Sequence, residues 1–111
     1  MSTRDQAVQA ALAFFDSGEF RERLAALVAI PSTLQDADHE PDVWRYLEQA
    51  IRPWVERLGF TATIHPNPKP GFGPILIAER IEDPAFRTVL TYGHGDTVRG
   101  LDDQWDAGLK P

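Results

Sequence analysis

Apolar side chains recur every three or four residues through the first half of the chain. They then give way to short runs of β-branched and aromatic residues. From Thr3 to Phe15, Val8, Ala11, Leu12 and Phe15 fall at helical spacing. Ser2 or Thr3 is placed to cap this helix, and Gly18 to stop it in a left-handed conformation. A second helix is expected from Glu19 to Ala29, with Phe20, Leu24, Leu27 and Val28 on one face. Ile30-Pro31-Ser32 ends it, because proline disfavours helix in the residue before it. The stretch from Thr33 to Pro41, with Asp36, Asp38, His39 and Glu40, reads as a polar loop.

The longest apolar stripe, Val43, Leu47, Ala50, Ile51, Trp54, Val55 and Leu58, predicts a third helix from Asp42 to Leu58. Asp42 is placed to cap it and Gly59 to close it. Trp54 fits the core stripe, whereas Trp44 is expected to be partly exposed. Pro53 interrupts the pattern. An interior proline forfeits a backbone hydrogen bond at a cost of about 3 kcal/mol. A kink near Arg52 is therefore expected, or two helices with Pro53 in the first turn of the second.

Beyond Gly59 the period changes to that of strands. Phe60 to His65, Ile75 to Arg80 and Arg87 to Tyr92 are three expected strands. The proline-rich run from Pro66 to Pro74 separates the first two, and a turn at Glu82-Asp83-Pro84 precedes the third. Helices followed by three short strands of a mixed sheet make an α/β class. Helices occupy 3–58, and strands with their terminal motif 60–98.

Composition narrows the function classes. Eleven basic against seventeen acidic residues give a net charge of −6, which argues against a phosphate-binding surface and hence against nucleic acid. The chain has no cysteine, so disulfides and thiolate metal sites are excluded. No basic stretch followed by an apolar core marks a signal at the N-terminus, and no apolar run approaches the roughly 20 residues that span a bilayer. A cytoplasmic protein without membrane contact is the expectation.

Candidate chemistry sits in His94-Gly95-Asp96, at the expected end of the third strand. Residues two apart in extended chain point to the same side, so the imidazole and the carboxylate would share a face. The glycines at 93 and 95 let another group or an ion approach the backbone. A carboxylate beside a metal-ligating histidine holds its second nitrogen. The plain alternative is a strand end turned by glycine, with the histidine and aspartate in solvent. His39 and His65 read as loop and strand-end residues, and Asp102-Asp103 as a hydrated acidic run.

The string from Val89 to Val98, Val-Leu-Thr-Tyr-Gly-His-Gly-Asp-Thr-Val, followed by Trp105, resembles a signature of the aminoacylase, carnosinase and succinyl-diaminopimelate desuccinylase family of metallopeptidases. Leu27-Val28-Ala29-Ile30-Pro31-Ser32 and Val55-Glu56-Arg57-Leu58-Gly59-Phe60 are similar to two further stretches of that family, in the same order. The resemblance implies the N-terminal portion of a zinc-peptidase-like catalytic domain. His94 would be a ligand to one of two zinc ions (cobalt or manganese being possible substitutes), and Asp96 the catalytic-site aspartate that orients the imidazole. Paired ions would polarise an amide carbonyl and lower the pKa of a bridging water. The substrate would be a small peptide or an N-acyl amino acid. The family's bridging aspartate, Glu-Glu pair and last histidine have no counterpart in these 111 residues, nor does its smaller second domain, so the chain alone is expected to be inactive. Asp106-Ala107-Gly108 departs from the Asp-Pro-Phe run of many relatives, which leaves the subfamily open.

A second expectation is a stand-alone binding module that associates with its own kind through exposed strand edges. A phosphate-binding α/β protein is disfavoured, because Gly71-Phe72-Gly73 lies among prolines and no glycine-lysine-threonine signature follows.

Overall fold

The computed structural model describes residues 3–109. The chain divides into two compact units, Met1–Ile30 and Pro31–Pro111. The first is a helical hairpin of α1 (Arg4–Asp16) and α2 (Glu19–Val28). Thr3 caps α1 by accepting from the Gln6 backbone N–H, while the Gln6 side chain accepts from the Thr3 N–H. This reciprocal pair satisfies two of the orphan donors of the first turn. Ser2, the other candidate cap, lies outside the described residues. Gly18 reverses the chain at φ 83°, as its position suggested. Phe20 meets Phe14 edge-on at 6.1 Å and Phe15 at 5.8 Å between ring centroids, and the Arg23 guanidinium lies over Phe14. Within this unit the stripe residues Val8, Leu12, Phe15, Phe20, Leu24 and Val28 remain exposed.

The second unit opens with turns at 34–36 and a 3₁₀ turn, Ala37–His39, that leads directly into α3 (Glu40–Arg45). The helix thus starts earlier than the sequence suggested, within the expected polar loop. Pro41 falls in its first turn, where a missing N–H forfeits nothing. Asp42 does not cap it. Its carboxylate instead takes His39 Nδ1 at 2.8 Å and an Arg45 nitrogen at 2.7 Å. A π-helical stretch, Tyr46–Ile51, joins α3 to α4 (Arg52–Arg57), and the Arg52 N–H donates to the carbonyl of Leu47, five residues back. Pro53 then lies in the first turn of α4, one of the two arrangements expected. Widening the ladder just before a proline is how a helix absorbs the ring and the missing donor.

α4 ends in a two-bond glycine cap. Gly59 adopts φ 85° and its N–H donates to Glu56 O at 2.9 Å, while the Phe60 N–H reaches Val55 O at 3.1 Å. Arg80 Nη1 adds a bond to Leu58 O at 2.8 Å, tying the helix end to the end of the following hairpin.

That hairpin is β1 (Thr61–His65) paired antiparallel with β2 (Ile75–Glu79), in register Thr61↔Glu79 through His65↔Ile75. Ala62, Ile64, Leu76 and Ala78 turn to the half-buried face. Thr61, Thr63, His65, Ile75, Ile77 and Glu79 turn outward. The loop between the strands is held by Asn67, which accepts from the Lys69 N–H and donates to Gly73 O. The centre of the unit is small: Val43 is 5% exposed, and a methyl group at Gly73 would meet Leu34 and Val43 at 3.2 and 3.4 Å. Trp54, placed in the core by its spacing, is instead exposed.

The expected third strand, Arg87–Tyr92, does not form. Residues 87–100 run without regular structure, and Val89, Leu90 and Tyr92 stand 81%, 94% and 92% exposed. β-branched content describes how a residue fits a sheet surface; it does not supply the neighbouring ladder that makes a strand. The sheet among the described residues is therefore two-stranded and antiparallel, not a mixed sheet of three strands.

Replacing Gly59 by alanine forces a side chain into the left-handed region, although the nearest atom, Arg80 Nε, lies at a comfortable 3.7 Å. The expected loss is about 1 kcal/mol of backbone strain. Urea denaturation should show a lower midpoint at unchanged slope.

Candidate functional site

His94, Gly95 and Asp96 lie on the irregular run after the hairpin and not at a strand end. A line of contacts to the segment 32–36 holds them. Ser32, 1% exposed, donates its hydroxyl to Gly95 O at 2.6 Å. The Ser32 carbonyl accepts from the Thr97 N–H at 3.0 Å, and the hydroxyls of Thr33 and Thr97 meet at 3.3 Å. Arg99 closes the line, with Nε at 2.9 Å from an Asp36 carboxylate oxygen and Nη2 on the same atom. Its backbone N–H donates to Gln35 Oε1 at 3.1 Å. The two segments advance in the same direction, Ser32 facing Gly95 and Thr97, and Asp36 facing Arg99.

Gly95 is glycine for a steric reason. A Cβ there would stand 2.2 Å from Cε1 and 2.8 Å from Cδ1 of Tyr46, the first residue of the π-helical stretch. The ring packs against the backbone where any side chain would be. Burial raises the Tyr46 hydroxyl pKa above its ordinary value. The hydrogen bond from Arg99 holds the Asp36 carboxyl below its ordinary 3.8, and its bond to Asp36 raises the Arg99 guanidinium in turn.

His94 and Asp96 do come together. Nδ1 of the imidazole is 3.0 Å from the Asp96 carbonyl oxygen and 3.4 Å from its Oδ1. A carbonyl only accepts, so the closer contact requires the proton on Nδ1 and leaves the Nε2 lone pair free. Both side chains are largely open to solvent, His94 at 69%. A histidine held in this way fits one position of a metal site. A catalytic zinc takes three protein ligands and a structural zinc four. Among the described residues no three His, Cys, Asp or Glu side chains gather to hold an ion, so the described residues do not make a complete centre.

The remaining candidates lie elsewhere. His39 is bonded to Asp42, and His65 stands exposed on the outer face of the hairpin. Asp102 and Asp103 form a 3₁₀ turn that follows Leu101, a residue in the left-handed region at φ 50°. An open groove of about 610 Å³ runs beside Glu40, Pro41, Trp44, Arg45 and Glu48, and neither His94 nor Asp96 lines it. Tyr46 and the Asp36–Arg99 pair carried no signal in local pattern, and the contacts of Ser32 carried none either, since each acts across a long stretch of sequence. No helix among the described residues is long and apolar enough to cross a membrane.

The chain is 34% identical over 98 residues to the Cys-Gly metallodipeptidase DUG1 of Candida albicans, a match that covers 78% of this chain and 20% of that protein. The chain thus spans about a fifth of the length of the curated relative it matches. This similarity supports a relationship to metallopeptidases. No family model and no solved structure matches the chain.

Gly95→Ala is expected to destabilise the second unit by about 1–3 kcal/mol through the collision with Tyr46. Pairing it with Tyr46→Ala should recover part of the loss, and a double-mutant cycle in urea measures the coupling. The Asp36–Arg99 pair gives a pH signature. Its contribution is complete above the ordinary 3.8 and disappears as pH falls through the lowered Asp36 value. Carbon-detected titration should find the Asp36 midpoint below 3.8 and rising toward it in Arg99→Gln.

Proposed function

We propose that these residues form the first portion of a metal-dependent hydrolase that cleaves amide or peptide bonds, of the aminoacylase, carnosinase and desuccinylase type. The observation that carries this reading is His94, with Nδ1 turned onto Asp96 and Nε2 left free. The similarity to a metallodipeptidase supports it independently. In this reading His94 donates Nε2 to one of two metal ions, zinc in the first instance and cobalt or manganese as substitutes. Asp96 holds the imidazole in the donating tautomer. The ions' other ligands and the general base come from outside these residues, so the chain by itself is catalytically inactive. Substrates are small peptides or N-acyl amino acids, which meet the site in the cytoplasm.

A second reading is a non-catalytic module that self-associates. It is favoured by the outward Ile75 and Ile77 of β2, 50% and 53% exposed on a hairpin that pairs with no third strand among the described residues. Dimerisation that follows concentration, and that Ile77→Lys abolishes, would select it.

One imidazole binds zinc feebly, so calorimetric titration of the chain should show weak binding that His94→Ala removes. Micromolar or tighter binding that survives this substitution would sink the metal assignment. The coding sequence after the codon for Pro111 tests the larger claim. An open frame that supplies an aspartate, a Glu-Glu pair and a late histidine agrees with it; a stop codon there rules it out.

A further inference from the structure

Ser32 touches both peptide groups that flank Asp96. Its hydroxyl holds the Gly95–Asp96 unit through Gly95 O at 2.6 Å, and its carbonyl holds the Asp96–Thr97 unit through the Thr97 N–H at 3.0 Å. A peptide unit is a rigid plane, so fixing its N–H also fixes the direction of its carbonyl. The carbonyl of that second unit is Asp96 O, the atom 3.0 Å from His94 Nδ1. The Tyr46 ring also lies against Gly95, and the Asp36–Arg99 pair ties down the outgoing chain. Residues 91–100 themselves run without regular structure.

We propose that Ser32 is a positioning residue for the His94–Asp96 pair, acting with Tyr46 and the Asp36–Arg99 tie as a clasp that sets the imidazole tautomer. The claim that this tautomer serves a metal rests on the functional reading above; the clasp itself does not. Ser32 touches neither imidazole nor carboxylate. It works by orienting the two peptide planes between which Asp96 is hung, and so it turns an exposed histidine into one with a defined free nitrogen.

The test is NMR of the 111-residue chain. The two-bond nitrogen–proton correlations of the His94 imidazole report the tautomer, and amide exchange at Thr97 reports the clasp. Ser32→Ala should average the tautomer signals and speed Thr97 exchange about tenfold, the scale of one lost buried hydrogen bond. The β1–β2 amides should stay protected. Ser32→Thr, which keeps the hydroxyl, should restore the His94 signature. Should Ser32→Ala fail to fold, Arg99→Gln, a surface change, should loosen Thr97 by about threefold and shift His94 in the same sense. An unchanged His94 spectrum in the folded variants overturns the proposal. So does a uniform loss of protection across the hairpin and Thr97 that Ser32→Thr does not repair. Zinc added to the unsubstituted chain separates the two claims. If His94 ignores zinc while Ser32→Ala still averages its tautomer, the metal reading fails and the clasp stands. If zinc shifts His94 equally with and without the Ser32 hydroxyl, and the tautomer is unaltered, the clasp fails and the metal reading stands.

Discussion

The arrangement of the second unit depends on an absent methyl group. Because Gly95 has no Cβ, the Tyr46 ring lies directly on the backbone, whose carbonyl accepts from the Ser32 hydroxyl. The run from 87 to 100 has no ladder and little apolar burial, with Leu90 and Tyr92 almost fully exposed. Its position therefore rests on a few directional bonds and one steric fit. Such contacts specify orientation more sharply than hydrophobic burial does, since a hydrogen bond weakens steeply when misaligned. That suits a pair of side chains whose chemistry depends on which ring nitrogen carries the proton.

Features of the fold governed by neighbouring residues were legible in the sequence. Gly18 and Gly59 both adopt the left-handed conformation that ends a helix, and Pro53 lies in a first helical turn. The alternation around Ile64 and Leu76 yields paired strands, whereas His94 meets Asp96 off any strand and most closely through the Asp96 backbone carbonyl. Features that need a distant partner were not legible. Arg87–Tyr92 has the composition of a strand, yet no described segment pairs with it. Asp42 has the chemistry of a cap but is taken by His39 and Arg45. Trp54 follows the apolar stripe but is exposed, because the π-helical stretch resets the helical phase just before it. Ser32 stands in a string that resembles a metallopeptidase motif, but its bonds to Gly95 and Thr97 appear only in three dimensions.

His94 turns one nitrogen onto Asp96, and among the described residues no three His, Cys, Asp or Glu side chains gather to hold an ion. The apolar stripes of α1 and α2 and the outward isoleucines of β2 are exposed as well.

The bond from Ser32 to Gly95 closes a loop of 63 residues, whereas the helical hairpin, the glycine cap of α4 and the β-hairpin close over short spans. Loop closure grows more costly with length, and contacts distant in sequence form late. A nascent chain would thus complete its helices and its β-hairpin before His94 acquired an orientation. Any binding that needs that orientation would therefore wait on a closure that spans more than half of the chain.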